Sequence, residues 1–326
     1  MAFAHTHPSN MTFVSNDPSL WPQINLNIIT SYFEVAACVM VVYDWVLTLR
    51  QEIELIWRQC WSLMTVLYLI IRFIGIPFSF VFLLEYVPSV SLTDTVSTIA
   101  DYAVSGTIVI VTAMLGVIMI ARLHAMYQGS RTMLMFLVII FLAVNIACGV
   151  ITVIGLNDIV LEEFILSGTY VCGYVLYEGD EQLLFSMVSI LNTVWEVLAL
   201  CFSVWIVVKH FRDLRRLGPS TGSTIGDCFR VLIQSHVLYF TSFVGVSCFQ
   251  LAFLSPKIFN STSIGAQIID GVSQILLVIQ MFVLGPRLIL SIRKYHAKLV
   301  AYSDAEISMN SIVFQEDVHV STSSLV

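Results

Sequence analysis

The basic residues of this chain alternate with its apolar stretches, and that alternation leaves few folds open. Seven stretches are long enough to cross a hydrocarbon layer, which takes about 20 apolar residues per helix. They run approximately Ile28–Leu49, Trp61–Leu84, Thr98–Ala121, Thr132–Gly155, Leu183–Val208, Val231–Leu254 and Ile264–Leu284. Of the 15 Lys and Arg residues, Arg50, Arg58, Arg122, Arg131, Lys209, Arg212, Arg215, Arg216, Arg230, Arg287, Arg293, Lys294 and Lys298 fall in alternate gaps. The opposite gaps hold only Lys257, and Arg72 lies inside a span. Basic loops stay cytoplasmic, so the sequence predicts an all-α, integral membrane seven-helix bundle with the N-terminus outside and the C-terminus inside.

Composition agrees. The chain is 58% hydrophobic and 11% charged, whereas soluble domains carry roughly 25% charged residues. The resulting division is an outer or lumenal tail at 1–27, a membrane domain at 28–286, an amphipathic surface helix at 287–302 and a disordered cytoplasmic tail at 303–326. The surface helix is read from Leu288, Ile292, Tyr295 and Leu299, which line one face opposite Arg293, Lys294 and Lys298; such a helix favours anionic lipid. The sequons at Asn10 and Asn260 both fall on the expected outer side and are candidate glycosylation sites. A multi-pass protein of the plasma membrane or an endomembrane is expected, with the lipid bilayer as its first partner and no nucleic acid.

Charged residues inside spans are costly and mark sites or internal pairs. Arg72 shares a face of the second span with Thr65, Tyr68 and Ser79. Glu196 shares a face of the fifth with Ser189, Asn192 and Ser203, and the seventh adds Gln267, Asp270 and Gln274. Arg72, Glu196, Asp270, Asn192 and Gln274 are therefore the candidate ligand-binding or pairing residues, with Arg72 joined to either Glu196 or Asp270. Ser31 and Glu34 read as a capping box at the outer interface, and Asp101 as shallow enough to reach water. The acidic gap holding Asp158, Glu162, Glu163, Glu178, Asp180 and Glu181 reads as a solvated loop.

One local pattern stands out at the end of the first span. It is Tyr43-Asp44-x-x-Leu47-Thr48-Leu49-x-x-Glu52-Ile53-x-x-Ile56-Trp57, followed by Trp61-Ser62 and Arg72-Phe73. Asp44 and Thr48 lie on one helical face near the cytoplasmic end, which suits a gate, a docking corner or simply a stiff helix exit. The pattern resembles an N-terminal domain of basidiomycete multi-span membrane proteins, domain of unknown function six-five-three-three, over about residues 32–77. Fainter similarity continues at Arg122–Arg131 and at Gly285-Pro286-Arg287-Leu288. Ile71 and Phe73 stand where Asn and Tyr are commoner in that family. The resemblance implies a fungal membrane protein and assigns no activity.

Enzyme chemistry finds few ingredients. His236 is the one histidine within a predicted span, no Lys falls inside any, and neither G-x-S-x-G nor H-E-x-x-H occurs. No catalysis, metal or cofactor is expected. A receptor-like sensor of a small molecule fits the architecture, with Asp44, Thr48, Arg122, Arg212, Arg215 and Arg216 as candidates for coupling to a cytosolic signalling protein. A transporter or channel using the same polar stripes, or a structural membrane protein without ligand, is the alternative.

Overall fold

The structure, a computed structural model, describes residues 13–15, 21–57, 61–86, 94–126, 131–158, 160–166, 169–175, 181–217, 223–255, 263–294 and 297. Seven long helices dominate: α1 (Trp21–Glu52), α2 (Leu63–Tyr86), α3 (Asp94–Met126), α4 (Arg131–Asp158), α5 (Glu181–Leu217), α6 (Ser223–Phe253) and α7 (Ile264–Ile279). A π-helical turn, Ile53–Trp57, closes α1. A second, Gln280–Leu284, follows α7, and the chain then stays helical through residue 294. Six of these helices are long and apolar enough to cross a membrane; in α6 the apolar part among the described residues is the shorter Tyr239–Phe253.

Each helix packs on the next in chain order, α7 returns to α1, and α3 also touches α5, which closes the bundle into a ring. Burial follows the helical period, and each span also leaves apolar residues outside. On α4, Ile139, Ile146 and Val153 recur every seven residues on one face and remain 66%, 66% and 59% exposed. An outward apolar face of that kind needs lipid rather than water around it. The interior holds Tyr68, Ile71, Phe78, Val111, Ile118 and Phe282 on one flank, and Leu137, Phe141, Trp195 and Ala199 on the other.

The helical fold class stands, and the loop expected between the fourth and fifth spans is corrected. A three-stranded sheet, β1 (Phe13–Ser15), β2 (Val160–Leu166) and β3 (Thr169–Val175), is present; β1 runs parallel to β2, and β2 antiparallel to β3. β2 touches α3 and β3 touches α1. Glu162 and Glu163, expected in a solvated loop, lie on β2 opposite Gly173 and Cys172. The signal was present in the sequence. Val-Leu-Glu-Glu-Phe-Ile-Leu and Thr-Tyr-Val-Cys-Gly-Tyr-Val are β-branched and aromatic runs with Ser-Gly between them in the sequence, a pair of residue types that signals a hairpin.

Three further expectations are revised. α1 begins ten residues before Ser31, so Ser31 is no N-cap; its hydroxyl donates to the Ile28 carbonyl at 2.8 Å, and Glu34 is buried at 1% exposure. Asp101 is likewise buried. The surface helix expected from 287 starts as a direct continuation of α7, with Leu288, Ile289 and Leu290 buried in the bundle. Asn10, Asn260, Glu178 and Asp180 lie outside the described residues, as does the chain beyond 297.

Candidate functional site in the bundle core

Arg72 projects from the middle of α2 toward α1, and there it meets the residues of the Tyr43–Trp57 pattern. Asp44, Thr48 and Glu52 recur at one-turn intervals on α1, so all three face α2, and all are buried. Arg72 Nη1 donates to Asp44 Oδ2 at 3.0 Å, and its Nε lies 3.5 Å from Glu52 Oε2. Nη2 donates to the Trp45 carbonyl at 2.8 Å, to the Asp44 carbonyl at 3.4 Å and to the Thr48 hydroxyl. Thr48 in turn donates to the Asp44 carbonyl at 2.8 Å, which fixes its rotamer. The other Asp44 oxygen accepts from Arg287 Nε at 2.6 Å. Two guanidiniums and two carboxylates therefore meet where α1, α2 and α7 converge, and their formal charges cancel. Opposite charges set side by side make buried charge tolerable, although Glu52 Oε2 and Arg72 Nε form no hydrogen bond and Arg287 stays 46% exposed.

This arrangement corrects the expected pairing of Arg72 with Glu196 or Asp270. α2 packs on α1, α3 and the π turn after α7, while Glu196 sits on α5. The polar stripe on α2 is buried throughout, at Thr65, Tyr68, Arg72 and Ser79. Its helical period gave the face correctly, but could not say which helix lay opposite.

Glu196 anchors a second, separate cluster. Its two oxygens accept from the Ser247 hydroxyl of α6 and from Gln280 Nε2 at 2.9 Å. A cavity of about 60 Å³ adjoins them, walled by α3, α5, α6 and the end of α7, and Asn192 lines it. The Cys148 thiol of α4 reaches Asn192 Oδ1 at 3.9 Å. Asp270 and Gln274, four apart on α7, lie beside one another and join neither cluster.

The π turn links the two. Gln280, its first residue, belongs to the Glu196 cluster, and Arg287, just past its end, belongs to the Asp44 cluster. Pro286 explains the irregularity. It has no N–H to donate, and its ring would strike the carbonyl four residues back in a regular helix. The wider turn relieves both problems, and the Gly285 N–H donates to the Gln280 carbonyl instead. α3 lies tightly against this segment: a Cβ on Gly285 would stand 2.4 Å from Leu115 Cδ2. One turn further, buried Arg122 of α3 donates to the Leu288 carbonyl. Arg293 donates to the Leu55 carbonyl at 2.9 Å, to the Ser62 hydroxyl at 2.9 Å and to the Thr65 hydroxyl, and so ties the end of α7 to the α1–α2 corner.

The remaining candidates sit apart. Arg212 is exposed near the end of α5. Arg215 and Arg216 fall on the last turn of that helix, which runs on to Leu217, so this basic segment is helical where a loop was expected. Glu52, Ser247, Gln280 and Arg287 were not among the candidate site residues, although Glu52 and Arg287 lie in the patterns read from the sequence. Glu52 continues the Asp44–Thr48 spacing by one more turn, and Gln280 interrupts an apolar run, so both left a signal. Ser247 left none.

A family model described as a family of unknown function (DUF6533) matches residues 32–77. That segment runs from α1 through the π turn into α2 and holds Asp44, Thr48, Glu52 and Arg72; Arg287 lies outside it. Curated proteins yield no match to the chain.

Proposed function

We propose that this multi-pass membrane protein is a seven-span, receptor-like sensor with its N-terminus outside. The observation that carries the reading is the path of the chain after α7, where the π turn opens on Gln280 of one cluster and is followed by Arg287 of the other. A shift of that turn would alter both sets of hydrogen bonds at once, which is what coupling between two sites requires. α6 supplies the seventh span: 31 helical residues rise about 46 Å at 1.5 Å each, enough to cross. The basic-residue asymmetry supports the orientation. The cavity beside Glu196, about 60 Å³, is far below the roughly 300–1,000 Å³ of a drug-sized site. A small-molecule signal would therefore act by parting α3, α5, α6 and α7 and pulling Gln280 away from Glu196.

Coupling then runs to the inner face. Asp44 and Thr48 hold Arg72 there, Arg122 holds the chain past Pro286, and Arg212, Arg215 and Arg216 present positive charge at the end of α5 to a cytosolic signalling protein. A conduction route is less well supported, because Arg72 and Glu196 lie in separate hydrogen-bonded networks on different flanks of α7. The test is guanine-nucleotide exchange in fungal membranes carrying the protein, beside membranes carrying Arg122→Gln at equal expression. Exchange above control that the variant alters supports the sensor; exchange equal to control membranes removes it. Cysteine labelling near Asn10 and within 209–230 must come from opposite sides, and glycosidase treatment should shift the mobility of a protein modified at Asn10 or Asn260.

A further inference from the structure

Glu196 differs from Asp44 and Glu52 in one respect that has chemical consequences. Among the described residues no cation stands against it; its carboxylate accepts only from the neutral Ser247 hydroxyl and the Gln280 amide. An ionised carboxylate in a membrane interior requires a compensating charge or a proton. A second observation indicates which. Gln280 is 7% exposed and lines the same cavity, yet its Oε1 is buried with no hydrogen-bond partner. A buried acceptor of that kind calls for a donor or an ion beside it, and a proton on Glu196, shared with Ser247, would leave Gln280 Oε1 unsatisfied.

The chamber itself narrows the choice. Thr112, Asn192, Glu196, Ser247, Gln250 and Gln280 offer it oxygen, and Trp195, whose buried Nε1–H has no partner, offers a donor to a water of an ion's shell. Neither thiolate nor imidazole lines it; the Met119 and Met281 thioethers do, but they are neutral and balance no charge, so the anionic donor is the hard carboxylate oxygen. One carboxylate balances one positive charge; a divalent ion would leave an excess charge in the bilayer core. About 60 Å³ leaves room for an ion with a few waters and no more.

We propose that this cavity binds one monovalent alkali cation of about sodium's size. The Glu196 carboxylate and Gln280 Oε1 hold it, and water and the lining hydroxyl and amide oxygens complete its shell. Because Gln280 opens the π turn, the ion steadies the bent end of α7 from inside. The site does not depend on whether the protein signals.

The experiment is thermal unfolding of the purified full chain, titrated with sodium chloride against choline chloride at constant ionic strength. Sodium should raise Tm saturably, by about 2–4 °C at roughly ten times the half-saturating concentration. Glu196→Gln keeps the size and the Ser247 contact but removes the charge, and should abolish the sodium-specific rise. Gln280→Leu should raise the half-saturating concentration about tenfold, the scale of losing one ligand hydrogen-bonding group. Identical curves in sodium and choline would overturn the proposal, as would an undiminished sodium response in Glu196→Gln. Should that variant fail to fold, an unchanged half-saturation in Gln280→Leu is equally decisive against it.

Discussion

The two buried clusters solve the same problem in opposite ways. Around Arg72, charge is met by charge: Asp44 and Glu52 are matched by Arg72 and Arg287, and two helix carbonyls and the Thr48 hydroxyl take Arg72 Nη2. Around Glu196, charge is met only by neutral groups and a small cavity. The first arrangement is a self-contained clamp among α1, α2 and α7. The second is open to change, because anything that supplies or withdraws a positive charge alters its energy. A buried network whose charges are matched in sign holds a fold in one state, whereas a carboxylate met only by neutral groups can respond to a ligand.

That contrast breaks first at Arg72. Replacing it by Leu leaves Glu52 without its cation and Asp44 with Arg287 alone, and breaking a buried pair costs about 3–5 kcal/mol. Arg72→Leu should therefore give the largest fall in Tm and in detergent-stable yield. The double variant with Asp44→Leu should recover part of the loss, whereas adding Glu196→Leu should be additive. Coupling of Arg72 to Glu196 instead would show that the two clusters are one.

Arg122→Leu comes next. It removes a charged donor from the Leu288 carbonyl, a loss of about 1.5–3 kcal/mol. Unfolding in detergent should show it as a smaller fall in Tm than Arg72→Leu. A silent Arg122→Leu would mean that α3 does not hold the chain beyond Pro286.

A packing change between the clusters should matter less. Gly285→Ala places a methyl against the mobile end of Leu115. Leu115 can yield, so about 1 kcal/mol is expected, at the low end of overpacking costs. Leu115→Ala should relieve it; failure of that rescue in a Tm comparison would show that the backbone around the π turn, rather than its contact with α3, is the constraint.

The smallest effect sharpens the contrast most. Glu196→Gln without sodium should change stability by less than about 1 kcal/mol, since a neutral amide still accepts from Ser247. A fall comparable to that of Arg72→Leu would mean that Glu196 is a structural ion with its own unrecognised partner.

How much of this was legible in the sequence varies from residue to residue. Apolar length and the helical period located the helices, and the period also gave the buried faces: the stripe Thr65, Tyr68, Arg72 and Ser79 is inside. The pattern at 43–57, with Arg72 beyond it, was recognisable as a unit and lies within the matched family segment. The β2–β3 pair was passed over because strand patterns are short and weak beside seven long apolar runs. Glu34 was misplaced because a capping box is a local signal, and α1 in fact begins far upstream of it.

What the sequence determined alone is everything that depends on one helix at a time: apolar length, the direction each polar residue faces and the sign of each gap. Only the tertiary structure decided the partners. Arg72 could reach Glu196 or Asp270 as readily as Asp44 so far as periodicity is concerned, because a helix fixes the angle of a side chain but not the neighbour standing at that angle. The ring order placed α1 there. Gln280 and Arg287 likewise carry no shared signal in the chain. It is the π turn before Pro286 that aims one at Glu196 and the other at Asp44.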